Sequence, residues 1–248
     1  MSTRISESVY KWLISAQFFL FPGICIHCRK SGSQHHDLCN TCLLELPLVK
    51  NPCPVCGLPL PSRNLAASLC GTCMVMPSSF CRSVIPFHYH PPVSSLIAGF
   101  KYRNKLASGR ALGEQLACHL VQQYRDAPLP SLVIPVPLHK ARMRQRGYNQ
   151  ALEITRTLSR HLDITIGRDI VRRARNTPQQ TGLSARARKR NLRSAFIVKS
   201  NFHFEANTTV AIVDDVVTTG VTVSELARVL LKAGASQVHV WAIARTVA

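Results

Sequence analysis

Acidic residues are scarce in this chain of 248 residues: 12 Asp and Glu stand against 31 Lys and Arg, a formal net charge of +19. Such an imbalance argues against the mixed-sign surface of an inert protein, although a merely solvated surface is the alternative. It points instead to polyanions: pyrophosphate, nucleic acid or an anionic membrane surface. Aromatic residues make up only 6%. Contact with single-stranded nucleic acid is therefore expected to rest on electrostatics more than on stacking, and to weaken steeply with salt. No segment reaches the roughly 18 apolar residues of a membrane span. The apolar stretch Leu13–Ile26 is broken by Ser15, Gln17, Pro22 and Gly23. Glu7 precedes it and no small-residue cleavage site is evident, so a helix from about Ser6 to Leu20 is expected rather than a secretory signal. The Gly-rich dinucleotide fingerprint is missing, and so is the Gly-Lys-Ser/Thr of a nucleoside-triphosphate loop.

What the chain does have in number is cysteine. Eight of its ten cysteines fall in four Cys-x-x-Cys pairs: Cys25/Cys28, Cys39/Cys42, Cys53/Cys56 and Cys70/Cys73. Each pair lets two thiolates from one tight knuckle grip a single ion. Two knuckles complete a tetrahedral site with zinc–sulfur bonds of about 2.3 Å. Four knuckles therefore predict two Zn²⁺ sites. Sequential pairing is the simplest arrangement, since spacers of 10 and 13 residues suit the hairpin of a zinc ribbon; an interleaved pairing stays open. Disulfides need an oxidising compartment, for which no secretion signal argues. Redox chemistry needs a βαβ unit around the motif, and none is visible. Four thiolates close the coordination shell, so both sites are expected to be structural. His27, His35 and His36 are the alternative ligands. Cys81 and Cys118 lie outside the pattern and are expected to be small buried or half-buried residues.

Residues 210–222 carry the strongest chemical signal. Val210–Val213 suit a central parallel strand. Asp214 and Asp215 follow at its carboxyl end, where open α/β sheets bind ligands. Thr222 with Glu225 fits a capping box. Leu226, Val229, Leu230 and Ala233 continue at helical spacing up to Gly234. The turn between strand and helix thus lies at a helix N-terminus, which favours an anion. Thr218, Thr219 and Thr222 offer hydroxyls, and Gly220 permits positive φ. A phosphorylated ribose fits this string, with phosphate in the turn and hydroxyls on the carboxylates.

Residues 139–193 carry 15 basic and 3 acidic residues. Their first part, His139 to Arg146, reads as a basic loop after the short strand Leu132–Val136. Gly147–Gln150 and a helix with Leu152, Thr155, Leu158 and Leu162 on one face follow it. Strand, basic loop, glycine and helix start describe a second anion pocket. Residues 172–193, with Arg175, Arg186, Arg188, Lys189 and Arg190, read as a basic hood over an active site or an arm on a nucleic acid backbone. Val84–His90, Ala195–Val198 and Gln237–Arg245 read as strands, and Leu96–Tyr102 and Gly109–Tyr124 as helices. Alternating strands and helices predict an α/β fold with a mostly parallel sheet flanked by helices. The expected organisation is a helix in residues 1–22, a Cys-rich double zinc ribbon in 23–80 and the α/β domain in 81–248.

Val213-Asp-Asp-Val-Val-Thr-Thr-Gly220 resembles the phosphoribosyl pyrophosphate signature of type I phosphoribosyltransferases. The resemblance implies that Asp214 and Asp215 are the catalytic-site acids on the ribose hydroxyls. It implies that Val217, Thr218, Thr219, Gly220 and Thr222 hold the 5′-phosphate, with Mg²⁺ accompanying phosphoribosyl pyrophosphate. Val221 departs from the pattern, which usually has a smaller residue there. Arg146, Gly147, Tyr148 and Asn149 occupy the place of that family's pyrophosphate loop. Together with the four knuckles, Gly99-Phe-Lys-Tyr102, Val136-Pro-Leu-His-Lys140, Arg146-Gly-Tyr-Asn-Gln150, Arg175-Asn-Thr-Pro-Gln-Gln180 and Arg190-Asn191 resemble the ComF family. That family includes the gluconate-utilisation-named relatives of enterobacteria. This resemblance implies a double zinc ribbon joined to a phosphoribosyltransferase-like domain. It further implies a role in natural competence, handling incoming single-stranded DNA at the cytoplasmic face of the inner membrane. Two alternatives stand beside it: an active phosphoribosyltransferase of nucleotide metabolism, and a zinc-ribbon scaffold recruiting DNA-uptake proteins.

Overall fold

Apolar runs with few polar interruptions become strands covered on both faces. The computed structural model describes residues 23–31, 37–61, 69–174 and 195–247. The helix expected in residues 1–22, together with Arg175, Arg186, Arg188, Lys189 and Arg190, lies outside them. In chain order the strands are β1 (Arg82–Val84), β2 (Phe87–His88), β3 (Leu132–Pro135), β4 (Thr165–Ile166), β5 (Val171–Arg173), β6 (Phe196–Val198), β7 (Thr209–Val217) and β8 (Gln237–Arg245). β1, β8, β7, β3 and β4 lie side by side in that order, with β2 also on β8, and every pairing in this sheet is parallel. β5 and β6 form a separate antiparallel pair. In β8 only Gln237 is exposed, as expected of a central parallel strand.

The helices are α1 (Asn40–Leu44), α2 (Gly71–Val75), α3 (Val93–Tyr102), α4 (Leu106–Gln123), α5 (Lys140–Arg146), α6 (Gln150–Leu162) and α7 (Val221–Lys232). On one face of the sheet, Val210, Ile212, Val238 and Val240 cluster with Leu226, Ala227 and Leu230 of α7. The intervening residues His239 and Trp241 point the other way, where both hydrogen-bond Tyr124 at the end of α4. α4 packs against α6. Gly113 lets the two approach, because a Cβ there would lie 3.1 Å from Thr157.

Several expectations are corrected in detail. The strand expected over Val84–His90 is two strands, separated by Ile85-Pro86, because Pro86 has no N–H for a ladder. The basic stretch expected as a loop is α5: Lys-Ala-Arg-Met-Arg-Gln-Arg consists of strong helix formers, and Gly147 ends it at φ 77°. β7 does not stop at Val213, since pairing with β8 carries it on to Val217, opposite Arg245. Both acids are therefore strand residues. Thr222 is not the N-cap that a capping box with Glu225 requires, since it lies inside the helix. Gly220, at φ 76°, is the N-cap of α7, and Glu225 instead pairs with Arg228. Cys81 and Cys118 are exposed, Cys81 just ahead of an edge strand and Cys118 on an outer position of α4.

The chain divides into two compact units, Met1–Leu46 and Pro47–Ala248. The first knuckle pair belongs to the smaller unit and the second pair to the larger. Within the larger unit the second ribbon packs on the sheet. Ser83 N–H donates to the Pro54 carbonyl at 2.9 Å and Val49 N–H to Pro86 at 2.7 Å. A Cβ on Gly57, which sits at φ +69°, would approach Ile85 to 2.8 Å.

The topology also sets where a ligand can bind. From β3 the chain crosses through α6 to β4 on one side. From β7 it crosses through α7 to β8 on the other. Right-handed crossovers place those helices on opposite faces. The carboxyl ends of β3 and β7 therefore face a crevice at the switch point of the sheet, the preferred ligand position in such folds.

Candidate functional site

β3 ends at Pro135, opposite Val213, while β8 runs on beside β7 to Val217. Asp214 and Asp215 thus lie on a stretch of β7 open on its β3 side. They border a cavity of about 350 Å³ whose lining includes Val136, Asn149, Gln150, Thr218 and Thr222, with Lys101, Tyr102, Arg142, Arg146 and Arg173 around them. Of the residues expected at the site, Asp214, Asp215, Thr218, Thr222, Arg146 and Asn149 line this cavity. Val217, Thr219, Gly220, Gly147 and Tyr148 are not among its lining residues.

The acidic side is tightly built. Asp214 Oδ1 accepts the Asp215 N–H at 2.9 Å, and Lys101 Nζ lies 3.0 Å from Asp215 Oδ1. Burial, and then the Asp215 carboxylate beside it, push the Asp214 carboxyl up to about 7. Burial pulls the Lys101 ammonium down, but Asp215 outweighs it and holds the group above its ordinary range.

The basic side comes from two elements, α5 and β5. Burial, then the neighbouring Arg146, lowers Arg142; burial, then Arg142, lowers Arg173. Guanidiniums do not lose their protons at these depths, so their mutual repulsion makes the wall receptive to an anion. Arg146 Nη1 donates to Gln150 Oε1 at 3.2 Å, and its guanidinium lies 5.5 Å from the Tyr102 ring centre. Asn149 caps α6 by accepting the Ala151 N–H at 3.1 Å, while its own amide donates to the Val136 carbonyl at 3.0 Å. Tyr148 OH donates to the Phe100 carbonyl, which ties the loop before α6 to the end of α3.

The turn after β7 suits a phosphate. The N-cap of α7 is Gly220, which has no side chain to cap the helix, and the helix dipole there favours an anion. Thr219 Oγ1 is buried without a hydrogen-bond partner among the described residues. Gly220 is needed for its φ of +76° rather than for room, since a Cβ there would meet nothing within 4 Å. The acidic pair does not offer a divalent ion an open seat, because the Lys101 ammonium already neutralises Asp215 there.

Among the described residues the cysteines gather sequentially, Cys25/Cys28/Cys39/Cys42 and Cys53/Cys56/Cys70/Cys73, with all four sulfurs of each group within 4.8 Å of one another. Cys28 and Cys39 Sγ are 3.7 Å apart, and Cys56 and Cys70 Sγ 3.5 Å. Tetrahedral zinc with bonds of about 2.3 Å separates its sulfurs by about 3.8 Å, so both groups fit zinc. Four thiolates leave no open position, and the zinc chemistry would be structural. No helix among the described residues is long and apolar enough to cross a membrane.

Lys101, Arg142 and Arg173 were not singled out from the sequence as site residues. Lys101 had a signal, its place in Gly99–Tyr102, but nothing local gave that string a chemistry. Arg142 and Arg173 were two among many basic residues.

Residues 16–74 match the double zinc ribbon domain, and residues 149–246 the phosphoribosyl transferase domain. Competence protein F of Haemophilus influenzae is 38% identical over 236 residues, covering 92% of this chain and 98% of that protein. The DNA utilization protein YhgH of Escherichia coli K12 is 37% identical over 228 residues, covering 91% and 98%. Competence protein ComFC of Bacillus subtilis is 24% identical over 230 residues, covering 85% and 90%. Fold and site together define a phosphoribosyltransferase-like protein that carries a double zinc ribbon. The chain belongs to the ComF family, that of competence protein F.

Proposed function

We propose that this chain holds phosphoribosyl pyrophosphate, or a related sugar phosphate, in the crevice beyond β3 and β7, and handles single-stranded DNA during natural transformation. One observation carries the ligand reading: an acidic doublet faces a guanidinium wall across a single cavity. Asp214 and Asp215 would accept from ribose hydroxyls. The turn Thr218–Gly220 and the N-terminus of α7 would take the 5′-phosphate. Arg142, Arg146 and Arg173 would take the second anion. A neutral sugar brings no charge to the guanidiniums, and a sugar-free oligophosphate meets the carboxylates. A ribose with phosphate at both ends answers both walls.

The DNA reading is supported by the charge of +19 and by relatives named for competence and DNA utilization. The reduced thiolates of two zinc centres suit the cytoplasmic side of the inner membrane. The guanidinium wall also suits a departing pyrophosphate, so nucleobase transfer at C1′ is the second reading: the C1′–O bond to pyrophosphate breaks as a C1′–N bond forms. Release of pyrophosphate on adding a nucleobase tests it.

Titration calorimetry with phosphoribosyl pyrophosphate tests the first reading. Wild type is expected to bind, and the double variant Asp214→Asn/Asp215→Asn to lose at least about tenfold in affinity, the scale of one charge-assisted hydrogen bond. No heat in wild type, or equal heat in the variant, overturns it. Fluorescence anisotropy with a labelled single-stranded oligonucleotide tests the DNA reading. Binding to a single strand at low salt should fall by roughly 300-fold between about 50 and 200 mM salt if some six phosphates are contacted. No binding at the lower salt refutes DNA handling.

A further inference from the structure

The acidic pair of this site already has a cation of its own. Lys101 Nζ is 3.0 Å from Asp215 Oδ1, and the two side chains are only 19% and 9% exposed. This contact is fixed from several directions. Lys101 lies in the last turn of α3, next to Phe100, which is fully buried. A Cβ on Gly109 would come within 2.5 Å of the Phe100 ring, so α4 lies flush against that ring. Tyr148 OH donates to the Phe100 carbonyl, and the Tyr102 ring meets the Arg146 guanidinium. The backbone that carries Lys101 is thus clamped between α4 and the loop before α6.

We propose that Lys101 is a built-in replacement for a divalent cation at the acidic pair, so that the sugar phosphate binds without Mg²⁺. The inference rests on the sugar-phosphate reading above and deepens it. An ammonium has three N–H donors. One is spent on Asp215, and the others are available to ligand oxygens that a metal ion would otherwise coordinate. The charge balance of the cavity points the same way. Lys101, Arg142, Arg146 and Arg173 line it against Asp214 and Asp215, an excess of positive charge before any ligand enters. A multiply charged anion corrects that excess. A divalent ion seated on the acids would increase it, and would lie within a few ångströms of the Lys101 ammonium, where like charges repel most strongly.

The test is titration calorimetry with ribose 5-phosphate and with phosphoribosyl pyrophosphate, each in excess EDTA and in millimolar Mg²⁺. The first ligand matters because it lacks the pyrophosphate that binds Mg²⁺ in solution. For wild type, affinities for ribose 5-phosphate are expected to agree within about threefold between the two buffers. Lys101→Gln should weaken binding in EDTA by about tenfold or more, the loss of one charge-assisted hydrogen bond, and Mg²⁺ should restore most of it. Lys101→Arg, which keeps the charge, should stay metal-independent. Unchanged zinc content and melting temperature in Lys101→Gln separate this effect from misfolding. Wild-type binding that appears only with Mg²⁺ overturns the role of Lys101 and leaves the sugar-phosphate site standing. So does unchanged affinity of Lys101→Gln in EDTA. Absence of binding in both buffers refutes the sugar-phosphate site itself, and this inference with it.

Discussion

Arg245 donates from Nε to the carbonyl of Cys56 at 3.2 Å, joining the last residue of β8 to a knuckle of the second zinc ribbon. The same guanidinium donates from Nη1 to the carbonyls of Val217 at 3.0 Å and Thr246 at 3.2 Å. Val217 is where β7 hands over to the turn Thr218–Gly220. One buried cation thus connects a zinc centre to the candidate phosphate turn. Burial lowers its affinity for a proton, and a Cys56 thiolate beside it acts in the opposite sense.

Arg245→Ala leaves the Cys56 and Val217 carbonyls without their charge-assisted donor. It is expected to cost about 2–4 kcal/mol in urea unfolding. Arg245→Lys should recover only part of this, because an ammonium cannot reproduce the fork of a guanidinium. Release of one zinc ion to a chelator should also quicken in both variants. Unchanged zinc release in Arg245→Ala would show that the link to Cys56 carries no mechanical load.

Asp214 offers a trade between stability and binding. Its folded-state value near 7 lies above the ordinary 3.8, so the folded state keeps the proton to higher pH. Stability from this group is present below about pH 4 and is lost as pH rises toward 7. Asp214→Asn is therefore expected to raise stability at pH 8 by roughly 1–3 kcal/mol, with less gain at pH 5, while weakening the sugar phosphate. Thermal melts at the two pH values measure it. A variant less stable than wild type at pH 8 contradicts the reading of Asp214 as a buried, strained charge.

The second zinc centre belongs to the larger unit and packs on its sheet through Pro54, Gly57 and Cys56. Cys73→Ser should therefore do more than empty one site. Elemental analysis should find one zinc per chain instead of two. The main melting transition should fall by several degrees, as expected when about 2 kcal/mol is lost from a domain of this size. An unchanged melting curve with one zinc lost would mean that the ribbon rides on the sheet without supporting it.

How far these features were legible follows from the range of the forces involved. Leu132–Pro135 and Gln237–Arg245 were visible as strands because burial on both faces leaves a continuous apolar run. Asp214 and Thr218 were visible because a strand, a turn and a helix start are contiguous. The continuation of β7 through Asp214–Val217 was not visible, since the ladder with β8 imposes it. The contact of Lys101 with Asp215 spans more than a hundred residues and exists only once α3 docks beside the crevice. The helical state of Lys140–Arg146 is masked in the sequence by its charge density, although its residues are strong helix formers and Gly147 supplies the stop signal.

His239 gives the last test. Trp241 Nε1 donates to the Tyr124 hydroxyl oxygen at 3.0 Å, and that hydroxyl lies 2.7 Å from His239 Nδ1. An indole N–H can only donate, so the tyrosine oxygen accepts from Trp241 and its own proton is available to a bare His239 Nδ1. Burial, and then the Arg82 guanidinium that sits 4.1 Å from the Tyr124 ring centre, push His239 down to about 4. The unfolded chain, with its histidine near 6.5, takes up the proton first. Stability is therefore full above pH 6.5 and declines as pH falls toward 4. Between pH 7.5 and 5 this group should remove about 1–2 kcal/mol. His239→Asn, whose amide oxygen can accept from Tyr124, should lose that increment of pH dependence in urea unfolding at the two pH values. Equal pH dependence in variant and wild type would mean that His239 keeps an ordinary proton affinity in the fold.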